Sequence, residues 1–240
     1  YFWGDQLIIA MSGARPADRK RDFDLFTVTE NLAIAAGIPK PKLYVIEDTA
    51  MNAFATGRDP NHAIVVATTG IIERLERREL EGVIAHELSH VKNYDIRLML
   101  VVGVLVGTIA FVTDWFLRSL WWGGRDRDRE NRGGGIVMLL GIVLAVLAPF
   151  LATIIKLAIS RQREYLADAS GALLTRYPEG LARALAKLSG DKEVLEAATN
   201  ATAHLYITNP FKGKEFGAWF AGLFDTHPPI EERIKRLRTM

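Results

Sequence analysis

His86-Glu87-Leu88-Ser89-His90 is the stretch that decides how this chain folds and what it can bind. Residues four apart on a helix lie on one face, so the imidazoles of His86 and His90 can reach a single metal ion. Glu87 projects to the same side, one position round the helix, where it can act as a general base. The preceding residues 78–85 carry apolar side chains at helical spacing and no proline, which predicts a helix. The pentapeptide therefore predicts two zinc ligands and a base for peptide hydrolysis.

Arg163-Glu164-Tyr165-Leu166-Ala167-Asp168 supplies candidates for the rest of a metal site. Glu164 and Asp168 are one helical turn apart, so both carboxylates share a face. Catalytic zinc takes three protein ligands, and two histidines with one glutamate is a known set, which makes Glu164 the candidate third ligand. Asp168 can pair with the second ring nitrogen of a ligating histidine. The alternative is a solvated helix face on which the two carboxylates pair with Arg161 and Arg163.

Two apolar runs indicate that the chain crosses a membrane. Residues 136–155 carry no charge and are long enough to span a bilayer. Residues 98–113 form a second uncharged run, and Trp121 and Trp122 beyond it suit a membrane–water interface. Between the runs, residues 123–135 are glycine-rich and of mixed charge, which predicts a flexible, solvated loop. The alternative to a transmembrane hairpin is a pair of core helices in a soluble domain.

A hairpin of this kind returns the chain to the side of the membrane from which it started. His86 and His90 precede the first run and Glu164 follows the second, so the three candidate ligands share one side. Lysines and arginines near the runs are more numerous on that side, which favours the cytoplasm by the positive-inside rule. The chain does not begin with methionine, and Tyr1-Phe2-Trp3 resembles the end of an earlier span, so a longer protein is expected.

Composition adds little to these motifs. A formal net charge of +2 gives no argument for nucleic acid, and no nucleic-acid partner is expected. The absence of cysteine fits a metal site built from histidine and glutamate, and it gives no sign of an oxidising compartment.

The expected fold is α+β and mainly helical, with a small β-sheet. Periodicity predicts a helix over residues 23–37 and strands over 43–46 and 63–68. Residues 52–57 are a candidate sheet edge to which an extended substrate can add, or part of a plain long hairpin. Because no proline interrupts it, the motif helix can continue unbroken into the first apolar run. The chain is expected to consist of three segments: 1–97 with the sheet and the motif helix, 98–160 with the transmembrane hairpin, and 161–240 with the third ligand.

The C-terminal stretch predicts one more helix. Pro228 or Pro229 is expected to open it, with Thr226 or His227 as its N-cap. For His227 the second interpretation is that it stabilises the oxyanion that develops during hydrolysis.

Taken together, these motifs resemble a known group of proteins. The HExxH pentapeptide with Glu164-x-x-x-Asp168 looks like a gluzincin, a zinc peptidase whose third ligand is glutamate. The stretches 52–57 and 226–229, with the pair of spans between the ligands, are similar to the M48 family of integral-membrane metalloproteases. The resemblance implies a gluzincin-like catalytic domain with an inserted transmembrane helical hairpin. It also implies a multi-pass protein of the bacterial inner membrane, with its catalytic domain facing the cytoplasm.

The same resemblance implies an activity and a role for each site residue. It implies a zinc endopeptidase of the heat-shock or stress response that degrades damaged or misfolded membrane proteins and holds one Zn²⁺ per chain. Carried onto this sequence, the roles are zinc binding for His86, His90 and Glu164, general base for Glu87, orientation of His86 for Asp168, substrate backbone pairing for Asn52, Ala53 and Phe54, and oxyanion stabilisation for His227.

Two other functions remain open on the sequence. A CAAX-type processing protease keeps the chemistry and changes the substrate, although the short two-span hairpin favours the degradative role. The other alternative is a non-enzymatic membrane protein that binds a structural zinc ion and has no catalytic activity. That second alternative leaves Glu87 unexplained, because a structural zinc site needs a fourth ligand and no base.

Overall fold

A computed structural model describes residues 4–98, 161–191 and 228–240 of the chain, with the single positions 100, 101, 104, 105, 107, 108, 111, 143, 193, 195 and 207. The described part is mainly helical with one small sheet, which confirms the predicted α+β class. Its helices are α1 (Gly4–Met11), α2 (Phe23–Ala36), α3 (Thr69–Arg74), α4 (Arg77–Lys92), α5 (Arg161–Thr175), α6 (Pro178–Gly190) and α7 (Ile230–Leu237). Its strands are β1 (Arg15–Pro16), β2 (Lys42–Ile46), β3 (Ala53–Thr56) and β4 (Ile64–Thr68), and a 3₁₀ turn covers Pro60–His62.

The sheet has the strand order β1-β2-β4-β3, with β3 at one edge. The two strands predicted from the sequence are present as β2 and β4. They run parallel to each other, and β3 pairs antiparallel with β4. A plain long hairpin that joins strands 43–46 and 63–68 is therefore wrong, because parallel neighbours need a crossover connection rather than a hairpin turn. Residues 53–56 instead form β3, the antiparallel partner of β4 at the edge of the sheet.

The two faces of the sheet are buried in separate apolar clusters. On one face, Ala53 and Ala55 pack with side chains of α2, α4 and α6 in the main core. On the other face, Phe54 packs with Ile8 of α1 and with Leu100 in a second cluster. Successive residues of a strand point to opposite sides, so this alternation follows directly from the extended backbone.

Helix α4 is the centre of the molecule and packs against α2, α5 and α6. All five residues of the HExxH motif on it are buried. Two close approaches to α4 depend on glycine. A Cβ on Gly82 would lie 2.6 Å from the backbone nitrogen of Leu181, and one on Gly171 would lie 3.0 Å from that of His86. The absence of a side chain at these positions lets α5 and α6 lie directly against the motif helix.

The motif helix does not continue unbroken along the chain. It ends at Lys92, with Asn93 as its C-cap, and Tyr94 adopts the left-handed backbone conformation with φ +61°. The expectation of an uninterrupted helix is therefore wrong, because a left-handed residue ends the helix here without any proline. The turn changes the direction of the chain immediately after the second histidine of the motif.

The C-terminal helix is present as predicted, but its start differs from the expectation. Helix α7 begins at Ile230, and Pro229 occupies the N-cap without a side-chain hydrogen bond. The expected N-cap at Thr226 or His227 is therefore wrong. The carbonyl of Pro229 accepts hydrogen bonds from the N–H groups of Glu232 and Arg233, which supplies the first turn.

Within the described ranges, no helix combines the length and the apolar character needed to cross a bilayer. Apart from single positions, the runs 98–113 and 136–155 predicted to form a hairpin, and the loop 123–135, lie outside those ranges.

Candidate metal centre

Helices α4 and α5 bring His86, His90 and Glu164 to one buried point. The Nε2 atoms of the two histidines lie 3.2 Å apart. The Nε2 of His86 is 3.7 Å from Oε2 of Glu164, and the Nε2 of His90 is 3.5 Å from Oε1 of the same carboxylate. One ligand atom from each residue lies within 4.8 Å of the others, so this group can hold a metal ion.

These separations fit a tetrahedral zinc site. With ligand bonds of ~2.0–2.1 Å, the ligand atoms of a tetrahedron lie ~3.3–3.4 Å apart. The two Nε2 atoms lie 3.2 Å apart, and an oxygen of Glu164 lies 3.7 Å from that of His86 and the other oxygen 3.5 Å from that of His90, all close to that value. Two imidazole nitrogens with one carboxylate oxygen are donors that zinc accepts readily. Donor geometry and donor chemistry therefore both fit one zinc ion.

The charge around this point also favours a divalent cation. The described buried residues here include four carboxylic acids and one cation, Arg233; the acids are Glu87, Asp95, Glu164 and Asp168. Buried charges of one sign need a counterion, since their desolvation is otherwise uncompensated. The solvated helix face considered for Glu164 and Asp168 is excluded, because their exposed fractions are 0% and 2%.

Asp168 contacts the ring of His86 and not that of His90. Its Oδ1 lies 2.9 Å from Nδ1 of His86, the geometry in which the ring N–H donates to the carboxylate. Arg233 donates to both oxygens of Asp168, from Nε at 2.9 Å and from Nη2 at 2.7 Å. Burial raises the pKa of Asp168, but the hydrogen bonds from His86 and Arg233 outweigh burial and lower the pKa to about 2. Asp168 is therefore a carboxylate at neutral pH.

Arg233 is a residue of this site that the sequence interpretation did not include. It is fully buried, its Nη1 lies 3.6 Å from Oε2 of Glu164, and its Nη2 lies 3.5 Å from both ring nitrogens of His86. A sequence signal for it exists. On α7, Arg233 falls among Ile230, Ile234 and Leu237, on the apolar side of an otherwise charged helix.

Asp95 is a second residue that the sequence interpretation missed. Its Oδ2 lies 3.0 Å from Nδ1 of His90. Burial alone lowers the pKa of His90, but this hydrogen bond and the charges of Glu164 and Glu87 raise the pKa to about 9. The pKa of His86 is lowered, first by burial and also by the charge of Arg233, in spite of Asp168. A bound metal ion selects the neutral form of both rings, because the ligating nitrogen must be unprotonated.

The remaining predicted site residues lie on α4, at β3 or outside the described residues. Glu87 is buried on α4 between the two histidines. Asn52 immediately precedes β3, which contains Ala53 and Phe54, and the side chain of Phe54 points into the second apolar cluster. His227 lies outside the described residues.

The outer edge of β3 is partly engaged by the chain itself. Asn52 pairs with Thr68 of β4, so by alternation Ala53 turns its backbone groups outward. The N–H of Ala53 donates to the side-chain oxygen of Asn52 at 3.1 Å. The carbonyl of Ala53 accepts from the N–H of Ile207 at 3.1 Å.

Two histidines and a glutamate on two packed helices, with a second glutamate inside the HExxH motif, define the class of metal-dependent peptidases. The comparisons with known proteins agree. The model of peptidase family M48 matches residues 19–240, and the chain belongs to that family. The predicted family is thereby confirmed, and the chain is a metalloprotease whose His86, His90 and Glu164 can hold one metal ion, consistent with zinc.

Curated relatives support the same family, and one solved structure has a similar fold. The chain is 49% identical over 243 residues to a Protease HtpX homolog of Caldanaerobacter subterraneus subsp. tengcongensis, covering 100% of this chain and 79% of that protein. It is 52% identical over 236 residues to a Protease HtpX homolog of Dictyoglomus thermophilum, covering 98% of this chain and 75% of the relative. The fold is similar to that of S. mikatae Ste24p, with a TM-score of 0.50 and 19% identity over 96% of this chain. The chain spans only 55% of the length of that protein.

Proposed function

We propose that this chain is a membrane-bound, zinc-dependent endopeptidase of the gluzincin type that degrades damaged or misfolded membrane proteins. The observation that carries the proposal is the convergence of His86, His90 and Glu164, with Glu87 on the same buried helix. Four protein ligands would be expected of a structural zinc site, whereas three ligands and an adjacent carboxylate suit catalysis.

The proposed chemistry divides between the metal and the side chains. A zinc ion held by the two histidines and Glu164 would supply a Lewis acid for the scissile carbonyl and would lower the pKa of water towards ~7. Glu87 takes a proton as the water oxygen bonds to the carbonyl carbon. As the carbon–nitrogen bond breaks, Glu87 delivers that proton to the leaving amine, so one water is consumed for each peptide bond. Asp168 keeps His86 oriented, and His227 is the proposed donor to the oxyanion.

The substrate is proposed to bind as an added strand at the outer edge of β3. Asn52, Ala53 and Phe54 are the residues assigned to this pairing, and β3 is an edge strand of the described sheet. Backbone pairing of this kind recognises extended chains with little regard for sequence, which suits unfolded substrates. A substrate that pairs with Ala53 competes with Ile207 for the same carbonyl.

The location in a membrane rests on the sequence and on the relatives. We assign residues 98–160 to a transmembrane hairpin inserted between two parts of one catalytic domain, 1–97 and 161–240. The two apolar runs have the length and the flanking tryptophans of such spans. The positive-inside rule favours the cytoplasm for the catalytic side, and the bacterial relatives favour a bacterial inner membrane.

The proposal is tested with full-length protein purified in detergent and assayed on an unfolded membrane protein. Wild type is compared with Glu87→Gln at equal zinc content. The matched control is Glu81→Gln, on the same helix but paired with arginines at the surface. Loss of a general base costs ~10²–10⁴-fold in rate, so we expect at least ~100-fold slower cleavage by Glu87→Gln and unchanged cleavage by the control.

Equal cleavage by wild type and Glu87→Gln would contradict the assignment of the base. Cleavage by wild type of a prenylated CAAX peptide, with no cleavage of the unfolded membrane protein, would replace the degradative role by a processing role. Zinc binding without any cleavage of either substrate would favour a structural metal.

A further inference from the structure

We propose that Asp95 is a positioning residue that fixes the ring of His90 for metal binding, and that Arg163 holds Asp95 in place. The inference rests on the proposed zinc-dependent activity. Asp95 is 8% exposed, and its Oδ2 lies 3.0 Å from Nδ1 of His90. It has no role in the motifs described from the sequence.

The ring geometry of His90 supports this role. Its Nε2 faces Nε2 of His86 at 3.2 Å and Oε1 of Glu164 at 3.5 Å, so this nitrogen is turned towards the candidate metal position. The opposite nitrogen, Nδ1, faces Asp95. A ligating histidine that donates its other N–H to a carboxylate has a fixed tautomer and a fixed orientation. Asp95 therefore serves His90 as Asp168 serves His86.

The break after α4 is what brings Asp95 to His90. On a continuous α-helix, residues five apart lie ~140° apart around the axis and do not face each other. Here Tyr94 takes the left-handed conformation with φ +61°, and the chain turns back towards the motif. Arg97 supports the turn, since its guanidinium lies over the Tyr94 ring at 5.4 Å and its Nε donates to the carbonyl of Arg58 at 3.0 Å.

Arg163 links Asp95 to the helix that carries the third ligand. Its Nη1 lies 3.4 Å from Oδ1 of Asp95, and it immediately precedes Glu164 on α5. Oδ2 of Asp95 is thus directed at His90 and Oδ1 at Arg163. Because residues 95 and 163 flank the segment 98–160, one carboxylate ties both chain ends of that segment to the metal centre.

The test measures metal affinity rather than cleavage. Full-length wild type, Asp95→Ala and Asp95→Asn are compared by competition for zinc with a chromophoric chelator. Loss of a partner of a ligating histidine costs ~10–100-fold in metal affinity, which is the decrease expected for Asp95→Ala. Asn retains an oxygen that accepts from Nδ1–H, so Asp95→Asn is expected to recover most of the affinity. Asp24→Ala, an exposed acid on α2, is the control and is expected to bind zinc like wild type.

A second readout separates positioning of the ring from general support of the fold. The visible spectrum of the cobalt-substituted protein reports ligand geometry at full occupancy. We expect an altered spectrum for Asp95→Ala and a near-wild-type spectrum for Asp95→Asn. Should Asp95→Ala fail to fold, Asp95→Asn and Arg163→Gln carry the test. Arg163→Gln is then expected to weaken zinc binding, though by less than tenfold.

The outcomes distinguish this inference from the function on which it rests. If wild type binds zinc and Asp95→Ala binds it equally well with an unchanged cobalt spectrum, the role of Asp95 is wrong and the metal site stands. If affinity in Asp95→Asn falls as far as in Asp95→Ala, the hydrogen-bond argument is overturned. If wild type itself binds no zinc, the proposed function fails and the positioning role fails with it.

Discussion

The two histidines of the motif occupy unlike surroundings although they lie one helical turn apart. His86 is backed by Asp168 from α5 and by Arg233 from α7, and the exposed fraction of the Arg233 side chain is 0%. His90 is backed by Asp95, just beyond its own helix, and by Arg163, whose side chain is 38% exposed. The orientation of His86 thus depends on the packing of segments distant in sequence. The orientation of His90 depends on the turn that directly follows its own helix.

This contrast explains why the two rings respond oppositely to similar carboxylates. A buried guanidinium beside His86 offsets the charge of Asp168, and the pKa of His86 is lowered, chiefly by burial. Around His90, burial lowers the pKa, but the hydrogen bond to Asp95 and the charges of Glu164 and Glu87 outweigh burial and raise the pKa to about 9. Opposed environments of neighbouring groups are a common property of functional sites.

The largest expected effect comes from the ligand shared by the two sides. Glu164→Ala removes the carboxylate that contacts both histidines, so zinc affinity is expected to fall by more than the ~100-fold that loss of an outer partner costs. Chelator competition measures the affinity. Glu179→Ala, a surface substitution on α6, is the control. Wild-type affinity in the Glu164→Ala protein would contradict the third-ligand assignment.

The next effect compares the cations of the two sides. Arg233→Met leaves Asp168 buried without its cation, and breaking a buried pair costs about 3–5 kcal/mol in the free energy of unfolding. Arg163→Met removes a half-exposed cation, for which about 1 kcal/mol or less is expected. Denaturant unfolding of the zinc-free proteins measures both values. Equal losses of unfolding free energy in the two variants would contradict the idea that the more deeply buried Arg233 contributes more to stability than Arg163.

The packing of α5 on α4 gives a smaller effect. In Gly171→Ala the new Cβ meets the backbone of His86 at 3.0 Å, and backbone cannot move aside as a side chain does. We expect a loss of about 1–3 kcal/mol in the free energy of unfolding. Gly190→Ala places a Cβ in open space and is expected to change stability by no more than about 0.5 kcal/mol. Equal stabilities of the two variants would mean that α5 shifts freely along the motif helix.

Local sequence patterns were sufficient for the parts of the site that lie on regular elements. The HExxH spacing and the Glu164–Asp168 spacing are properties of a single helix each, and the structure has helices over both. The strands β2 and β4 followed from short β-branched runs bounded by polar residues. In each case the information lies within one turn or one strand, where periodicity is decisive.

The residues that sequence reasoning missed depend on non-local structure or on an unusual backbone. Arg233 lies on the apolar side of its helix, but its partners become clear only when α7 packs on α5 and α6 and buries it. Asp95 was missed because its contact with His90 depends on the left-handed backbone of Tyr94. The sequence of residues 91–97 does not predict that conformation. The prediction of a plain long hairpin between strands 43–46 and 63–68 failed for a related reason, since the parallel pairing of β2 with β4 is a property of the whole sheet.

Removal and return of the metal tests the central claim most directly. Full-length protein is stripped of zinc with a chelator, assayed on an unfolded membrane protein, and titrated with zinc. The account predicts that cleavage is lost and that one equivalent of zinc per chain restores it, with no restoration in Glu164→Ala. Cleavage that persists in zinc-free protein, or that returns equally in Glu164→Ala, would contradict the claim that these three residues hold the catalytic metal.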